Sequence, residues 1–457
     1  MARVRTVTLG LLVGAGLAVF VGGGWVASRS ASSVDWSQAR AIVLESDDWG
    51  LCGFVPSAAA LADIDRRALV DGRFPPVYWG STLEDSASVA ALCAVLAHVR
   101  GRDSLPAVFQ PNYIIASLSY EPDRSSHAWI RRDLPDLPPQ YPRPGLWRAV
   151  TKGRNAGVWY PEFHGSFHYD PELRMAAVRD RPAVREAAQR GILVFPGSQR
   201  AWELGPWRSE AVLTQELERA LAVFETLFDR PPGSVIAPDY TWTGREERLW
   251  SRHGLRVIQA KREQRHPDRR DGGWWTRVAK VIARAWDRVR RPELIYLERN
   301  CRFEVVQESD PRAAAARGAR EVYEAWRRGE PAIVETHRVN FAHVDTAVAA
   351  AGRAALATLL ETTADRDPGP LFLTDHEIAQ LHRHGTAVCR RGTTTVARNL
   401  THGRKVVWIP DARRAGGSVA GPGPDRSGRF YLLGAGATRV IPMVSPVDSV
   451  GSAPATQ

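Results

Sequence analysis

The sequence predicts an α/β protein: a (β/α) barrel of seven or eight strands, with an N-terminal membrane segment and a small β-rich C-terminal appendage. Three observations predict it. Short apolar runs of strand length alternate with helix-period segments across residues 39–385, the pattern of βα units in a parallel sheet. Seven or eight such units suit a closed barrel better than an open sheet. The run Ile42-Val43-Leu44-Glu45-Ser46-Asp47-Asp48-Trp49-Gly50 reads as a strand buried on both faces and ending in two adjacent acids. In parallel α/β folds that end of the sheet carries the chemistry.

Each element has its own signal. The first strand spans about 39–46, and Ser57 caps a helix expected over 57–71. A loop at 78–82 and a helix over 83–98 precede a strand at 106–115. Residues 119–156, rich in Pro, Arg and Asp, read as a long excursion. A strand at 158–163 runs into His164, followed by a helix at 182–190 and a strand at 191–196. Val212, Leu213, Leu217, Leu221, Phe224 and Leu227 recur at helical spacing over 209–228. Strands at 234–238 and 255–260 flank a helix at 244–253. In the insertion 261–292, Trp275, Val278, Ile282, Trp286 and Val289 share one helical face opposite Arg and Lys. That face either lies on an anionic bilayer or covers the core. Strands at 294–306, 331–336 and 371–374 alternate with helices at 312–328, 345–363 and 375–383. Short strands at 386–413, a Gly/Pro/Ser stretch at 415–427 and a hairpin over 429–442 complete the reading.

The chain therefore divides into residues 1–28, a signal peptide or transmembrane anchor; a linker, 29–38; the barrel, 39–385; and an appendage with a flexible tail, 386–457. Arg3 and Arg5 precede an apolar run from Val7 to Ala27, about the ~20 residues that span a bilayer. Val26-Ala27-Ser28 offers a cleavage site, so a signal peptide competes with an anchor. Either way the remainder is placed outside the cytoplasm. The net charge of +11 is almost all Arg, since Lys occurs only at 152, 261, 280 and 405. Such a balance admits nucleic acid, anionic membrane or acidic glycan. No helix-turn-helix, zinc-finger or RNA-binding signature is present, which disfavours nucleic acid. Cys52, Cys93, Cys301 and Cys389 lack metal-ligand spacing. They read as buried thiols, with a disulfide open outside the cytoplasm. Asn399-Leu400-Thr401 is a formal glycosylation sequon of a kind common by chance.

Two motifs carry chemistry. His164-Gly165-Ser166-Phe167-His168 places two imidazoles four apart, and its Gly and flanking prolines favour a strand end or tight loop over a helix. Two His and a carboxylate with open positions form a common catalytic metal set. Asp47 and Asp48 either cap a turn or divide the labour, one ligating an ion and the other acting as base. His337 ends a late strand, where it reads as an acid or as a core histidine.

The order of these motifs, Asp-Asp, then H-x3-H, then a late His, resembles the polysaccharide deacetylase (NodB-like) superfamily over residues 39–385. The resemblance implies a distorted (β/α) barrel, a divalent metal (zinc in the first instance) and a polysaccharide substrate. It implies Asp47 as catalytic base, His337 as general acid, and Asp48, His164 and His168 as metal ligands. Ile236-Ala237-Pro238-Asp239-Tyr240 resembles the segment lining the substrate groove, and the N–H of Tyr240 is a candidate oxyanion donor. Trp49, Trp79, Pro238 and Tyr240 are the expected substrate contacts, with Tyr78 and Trp242 as further aromatic candidates. The sequence departs from the family in four respects. Ser46 replaces the usual residue before the acids, and Gly165 stands where Ser or Thr is usual. Ala237 lies where the family places an Arg that positions the base. A fourth departure is that the family's Asp-plus-Trp motif behind the late His has no counterpart, so Asp239 or Glu335 is the expected substitute as partner of His337. The function expected is removal of N- or O-acetyl groups from an envelope or exported polysaccharide. The alternatives are a barrel hydrolase with another substrate and a catalytically inactive glycan-binding or export-scaffold protein.

Overall fold

The structure is a computed structural model and describes residues 34–62, 64, 65, 69, 76–121, 129–194, 203, 208–261, 291, 293–410 and 428–442. The expected N-terminal segment 1–28, the amphipathic face within 262–290 and the stretch 415–427 lie outside the described residues. No helix among the described residues is long and apolar enough to cross a membrane.

Sixteen strands are described: β1 (Ala41–Trp49), β2 (Phe109–Tyr113), β3 (Ala116–Tyr120), β4 (Trp129–Asp133), β5 (Glu162–Phe163), β6 (Ser234–Val235), β7 (Val257–Ala260), β8 (Ile295–Glu298), β9 (Cys301–Arg302), β10 (Ala332–His337), β11 (Leu371–Phe372), β12 (Thr386–Arg391), β13 (Thr394–Asn399), β14 (Lys405–Pro410), β15 (Gly428–Leu433) and β16 (Thr438–Pro442). The main sheet runs β8-β7-β6-β5-β2-β1-β10-β9, with β11 also on β1. Every pair in it is parallel. Its two edges, β8 and β9, are separated in sequence only by Arg299 and Asn300. Three residue steps span at most about 11 Å, so the edges meet and the sheet curls into a barrel.

The alternation of each strand builds the interior in layers. Val43 pairs with Ile333, Glu45 with Glu335 and Asp47 with His337 in the β1–β10 register, so one face steps from apolar to polar toward the C-terminal end. Ala41, Val43, Val257, Leu297, Ile333 and Leu371 share one apolar cluster. Above them come Glu45, Gln110, Asn112, Gln259 and Glu335, all buried. The opposite faces, among them Ile42, Leu44, Phe109 and Val334, join the large cluster under the surrounding helices. Those helices are capped as the sequence signals: Ser209 caps Glu210–Phe228, and Thr243 and Thr374 form capping boxes for Gly244–Arg252 and Asp375–His384.

Several expectations are corrected. The stretch 191–194 is no strand: Leu193 and Val194 N–H groups both donate to the Gly53 carbonyl. Residues 119–156 contain the antiparallel hairpin partner β4 and a helix, Leu146–Asn155, that packs Leu146 and Val150 into the core. Residues 429–442 do not pair with themselves, because β15 joins β14 while β16 joins β13. The buried-thiol reading holds for Cys52, Cys301 and Cys389, while Cys93 is only partly buried, and all four are free. Asn399 of the sequon is buried, and its amide donates to the Gly403, Leu433 and Gly434 carbonyls, so it presents no acceptor for a glycan.

Candidate metal and acid–base site

β1 delivers both acids to the C-terminal mouth of the barrel. Consecutive residues of a regular strand point to opposite faces. The left-handed backbone of Asp48, with φ +74°, breaks that alternation and lets both carboxylates serve one site. Such a conformation in a non-Gly residue costs on the order of 1–3 kcal/mol and is retained where function needs it.

Asp48, His164 and His168 offer ligand atoms that all lie within 4.8 Å of one another. The Asp48 Oδ1 is 3.2 Å from His168 Nε2 and 3.7 Å from His164 Nε2. His164 Nδ1 lies 3.1 Å from the Ile236 carbonyl. A carbonyl only accepts, so Nδ1 carries the proton and the Nε2 lone pair faces the Asp48 carboxylate. Two acceptors facing each other in a buried pocket call for a cation between them, and the donor set fits a divalent ion. His164 is buried, whereas Asp48 and His168 are partly open, which leaves access for water or substrate.

The H-x3-H loop is held by a residue that sequence reasoning missed. Glu203 is buried, and its carboxylate accepts the N–H groups of Ser166 at 2.6 Å and His168 at 3.0 Å. Gly165 has φ +96°, and a Cβ there would sit 2.5 Å from Glu203 Oε2. The glycine at this departure from the family pattern makes room for the anchoring carboxylate. Nothing in the sequence marks Glu203, which lies far from the loop along the chain.

Asp47 is engaged by Arg299 through both oxygens, Nη1 to Oδ2 at 2.6 Å and Nη2 to Oδ1 at 2.7 Å. The same guanidinium donates Nε to Glu45, Nη1 to the Tyr240 hydroxyl and Nη2 to Gln259. All five of its N–H bonds are used. Asn112 adds a hydrogen bond of 2.7 Å to Asp47. Burial would raise the Asp47 carboxyl, but Arg299 holds it well below the usual range. Burial and the neighbouring Asp375 carboxyl push Glu45 well above it. The positioning Arg absent at Ala237 is supplied here by the two-residue link between β8 and β9. An Arg between Glu298 and Asn300 inside a strand-length run was its only signal.

His337 Nε2 is 3.9 Å from Asp47 Oδ2, and its Nδ1 is 2.5 Å from Glu304. Burial disfavours the imidazolium, yet Glu304 outweighs it and pushes His337 up to about 10. Its partner is therefore neither Asp239 nor Glu335: Glu335 is paired with Lys261 at 2.5 Å. Glu304 is fixed in turn by the Asn340 amide at 2.9 Å.

The substrate contacts need revision. Trp49 is fully buried against Phe109 and Trp159, with its indole N–H on Ser46. Trp79 and Trp242 are buried as well. None of the three presents a face to a sugar ring. Pro238 is buried, while Tyr240 remains partly open above the Arg299 guanidinium. The Tyr240 N–H donates to the Ala237 carbonyl at 3.0 Å, so it is not a free oxyanion donor.

No family model and no curated protein matches the chain. Among solved structures, a protein assigned as a polysaccharide deacetylase from Mycobacterium smegmatis is 13% identical, covering 75% of this chain and 90% of its own, with a TM-score of 0.38. A CE4 family pseudoenzyme from Bacillus anthracis is 7% identical over 71% of this chain and 61% of its own, TM-score 0.31. IcaB from Ammonifex degensii is 12% identical over 52% and 95%, TM-score 0.20. The chemistry of this chain rests on the geometry of its own site.

Proposed function

We propose that the chain is a divergent NodB-like, metal-dependent hydrolase that removes N- or O-acetyl groups from a polysaccharide. The observation that carries this is the placement of Asp47, paired with Arg299, and His337, paired with Glu304, on register-paired strands beside the Asp48–His164–His168 cluster. An acid and a base with opposite protonation preferences at one mouth are what acyl transfer to water requires. Asp48, His164 and His168 would hold the ion, which when bound supplies Lewis acidity toward water and the acyl carbonyl. Asp47, oriented by Arg299 and Asn112, takes the proton of the attacking water. His337, kept charged by Glu304, gives a proton to the departing amine or alcohol as the acyl C–N or C–O bond breaks. Acetate and a deacetylated sugar result. An exported, membrane-attached location is part of the proposal and is supported by the N-terminal sequence alone.

The test is acetate release from acetylated oligosaccharides by the metal-loaded chain beside Asp47→Asn. Turnover lost by roughly 10²–10⁴ in the variant supports the roles given. Glycan binding with no acetate release by the wild type would favour the inactive glycan-binding protein instead.

A further inference from the structure

The appendage carries a feature that the hydrolase site does not use. In the β14–β15 hairpin, Val406 pairs with Leu432 and Trp408 with Phe430, while Val407 pairs with Tyr431 and Lys405 with Leu433. Directly paired residues share a face and faces alternate. The inner face packs Val407, Ile409 and Leu433 onto Val388 and Ala397. The outer face is also apolar: Val406 is 65% exposed, Phe430 66% and Leu432 60%, with Trp408 half-buried beside them. A surface hairpin ordinarily alternates apolar and polar faces, so an apolar outer face marks a contact surface.

Charge decides what the surface meets. Residues 386–410 and 428–442 contain seven Arg or Lys and no Asp or Glu. Arg391 and Arg398 are consumed internally, the former by carbonyls and the latter by Glu377 and Asp103. Arg404, two residues before Val406, is exposed at one end of the apolar face, and Lys405 and Arg429, register partners of Leu433 and Ile409, are exposed at the two ends of the hairpin beneath it. A second copy would bring like charges together. It would also bury only a few hundred Å² of apolar surface, well short of the ~800 Å² per partner of a stable interface. Aromatic and aliphatic side chains with cations at both ends of the hairpin match the headgroup boundary of an anionic bilayer. We propose that the outer face of the β14–β15 hairpin is a membrane-contact surface that docks on anionic lipid. This inference stands independently of the hydrolase reading.

The test uses the full chain with Val406→Cys carrying an environment-sensitive fluorophore. The parent chain taken through the same labelling reports the background from Cys93, the one native thiol that is not buried. Vesicles of phosphatidylcholine, with and without phosphatidylglycerol, are added in turn. Both accept an apolar N-terminal segment, so their difference reads the hairpin. The expected result is a blue shift and protection from iodide with anionic vesicles, reversed by high salt. Arg404→Gln with Lys405→Gln should lower the inserted-to-free ratio roughly thirtyfold, at about 1 kcal/mol per cation. A label at Lys152→Cys, on the exposed side of the barrel, should stay aqueous. Emission that remains polar with both vesicles, or shifts equally with both, would overturn the proposal. A shift with dextran sulfate but not with vesicles would do so as well, by assigning the face to a soluble polyanion.

Discussion

Asp47 and His337 are register partners on adjacent parallel strands, with Oδ2 and Nε2 3.9 Å apart, and each has its own charged partner behind it. Arg299 keeps the first ionised, and Glu304 keeps the second protonated. The two protonation states that a hydrolase needs at once are built into the strand pairing.

Replacing Glu304 by Gln removes the charge that outweighs burial at His337. The His337 pKa then falls from about 10, and the alkaline limb of the rate profile moves down by about 1–3 units. The sign for stability follows from a folded value above the unfolded one. The His337–Glu304 contribution is complete below about 6.5 and is lost as pH rises toward 10. Thermal unfolding across that window should slope in the wild type and flatten in the variant.

Arg299→Lys keeps a positive charge but cannot reproduce the two-pronged contact with Asp47. Turnover should fall about 10²-fold with KM and bound metal little changed, read by steady-state kinetics and metal analysis. Arg299→Met should instead destabilise by about 3–5 kcal/mol, because it strands buried carboxyls.

Glu203→Gln turns one of the two acceptors on the ligand loop into a donor that faces the His168 N–H. Metal affinity should drop roughly 10–100-fold by calorimetric titration. Gly165→Ala should act in the same direction, since its Cβ would press on Glu203.

Trp49→Ala should cost about 3–5 kcal/mol of stability. A Trp49→Phe variant that folds should bind glycan as the wild type does, measured by oligosaccharide titration. A selective loss of glycan affinity there would return Trp49 to the substrate groove.

The barrel was legible because its strands are short apolar runs between helix-period segments, as at Ile42–Leu44 before the Ser57 cap. The His-x3-His motif and the paired acids were legible because their spacing is local. Arg299, Glu304 and Glu203 were not, because each acts across the sheet on a residue distant in sequence. The aromatic residues misled for a related reason. Trp49 stands next to Asp48 in the chain and Trp79 beside a loop-like Gly-Ser-Thr stretch, yet a strand and a tight turn aim them into the core. The 191–194 segment has the composition of a strand, but its N–H groups go to Gly53 and no neighbour pairs with it.

The most direct measurement is the metal content of the purified chain after equilibration with zinc and dialysis, beside Asp48→Ala and His164→Ala. The account predicts about one ion per wild-type chain and loss of that ion in both variants. A wild type that retains no ion, or variants that retain as much as the wild type, would contradict the assignment of Asp48, His164 and His168.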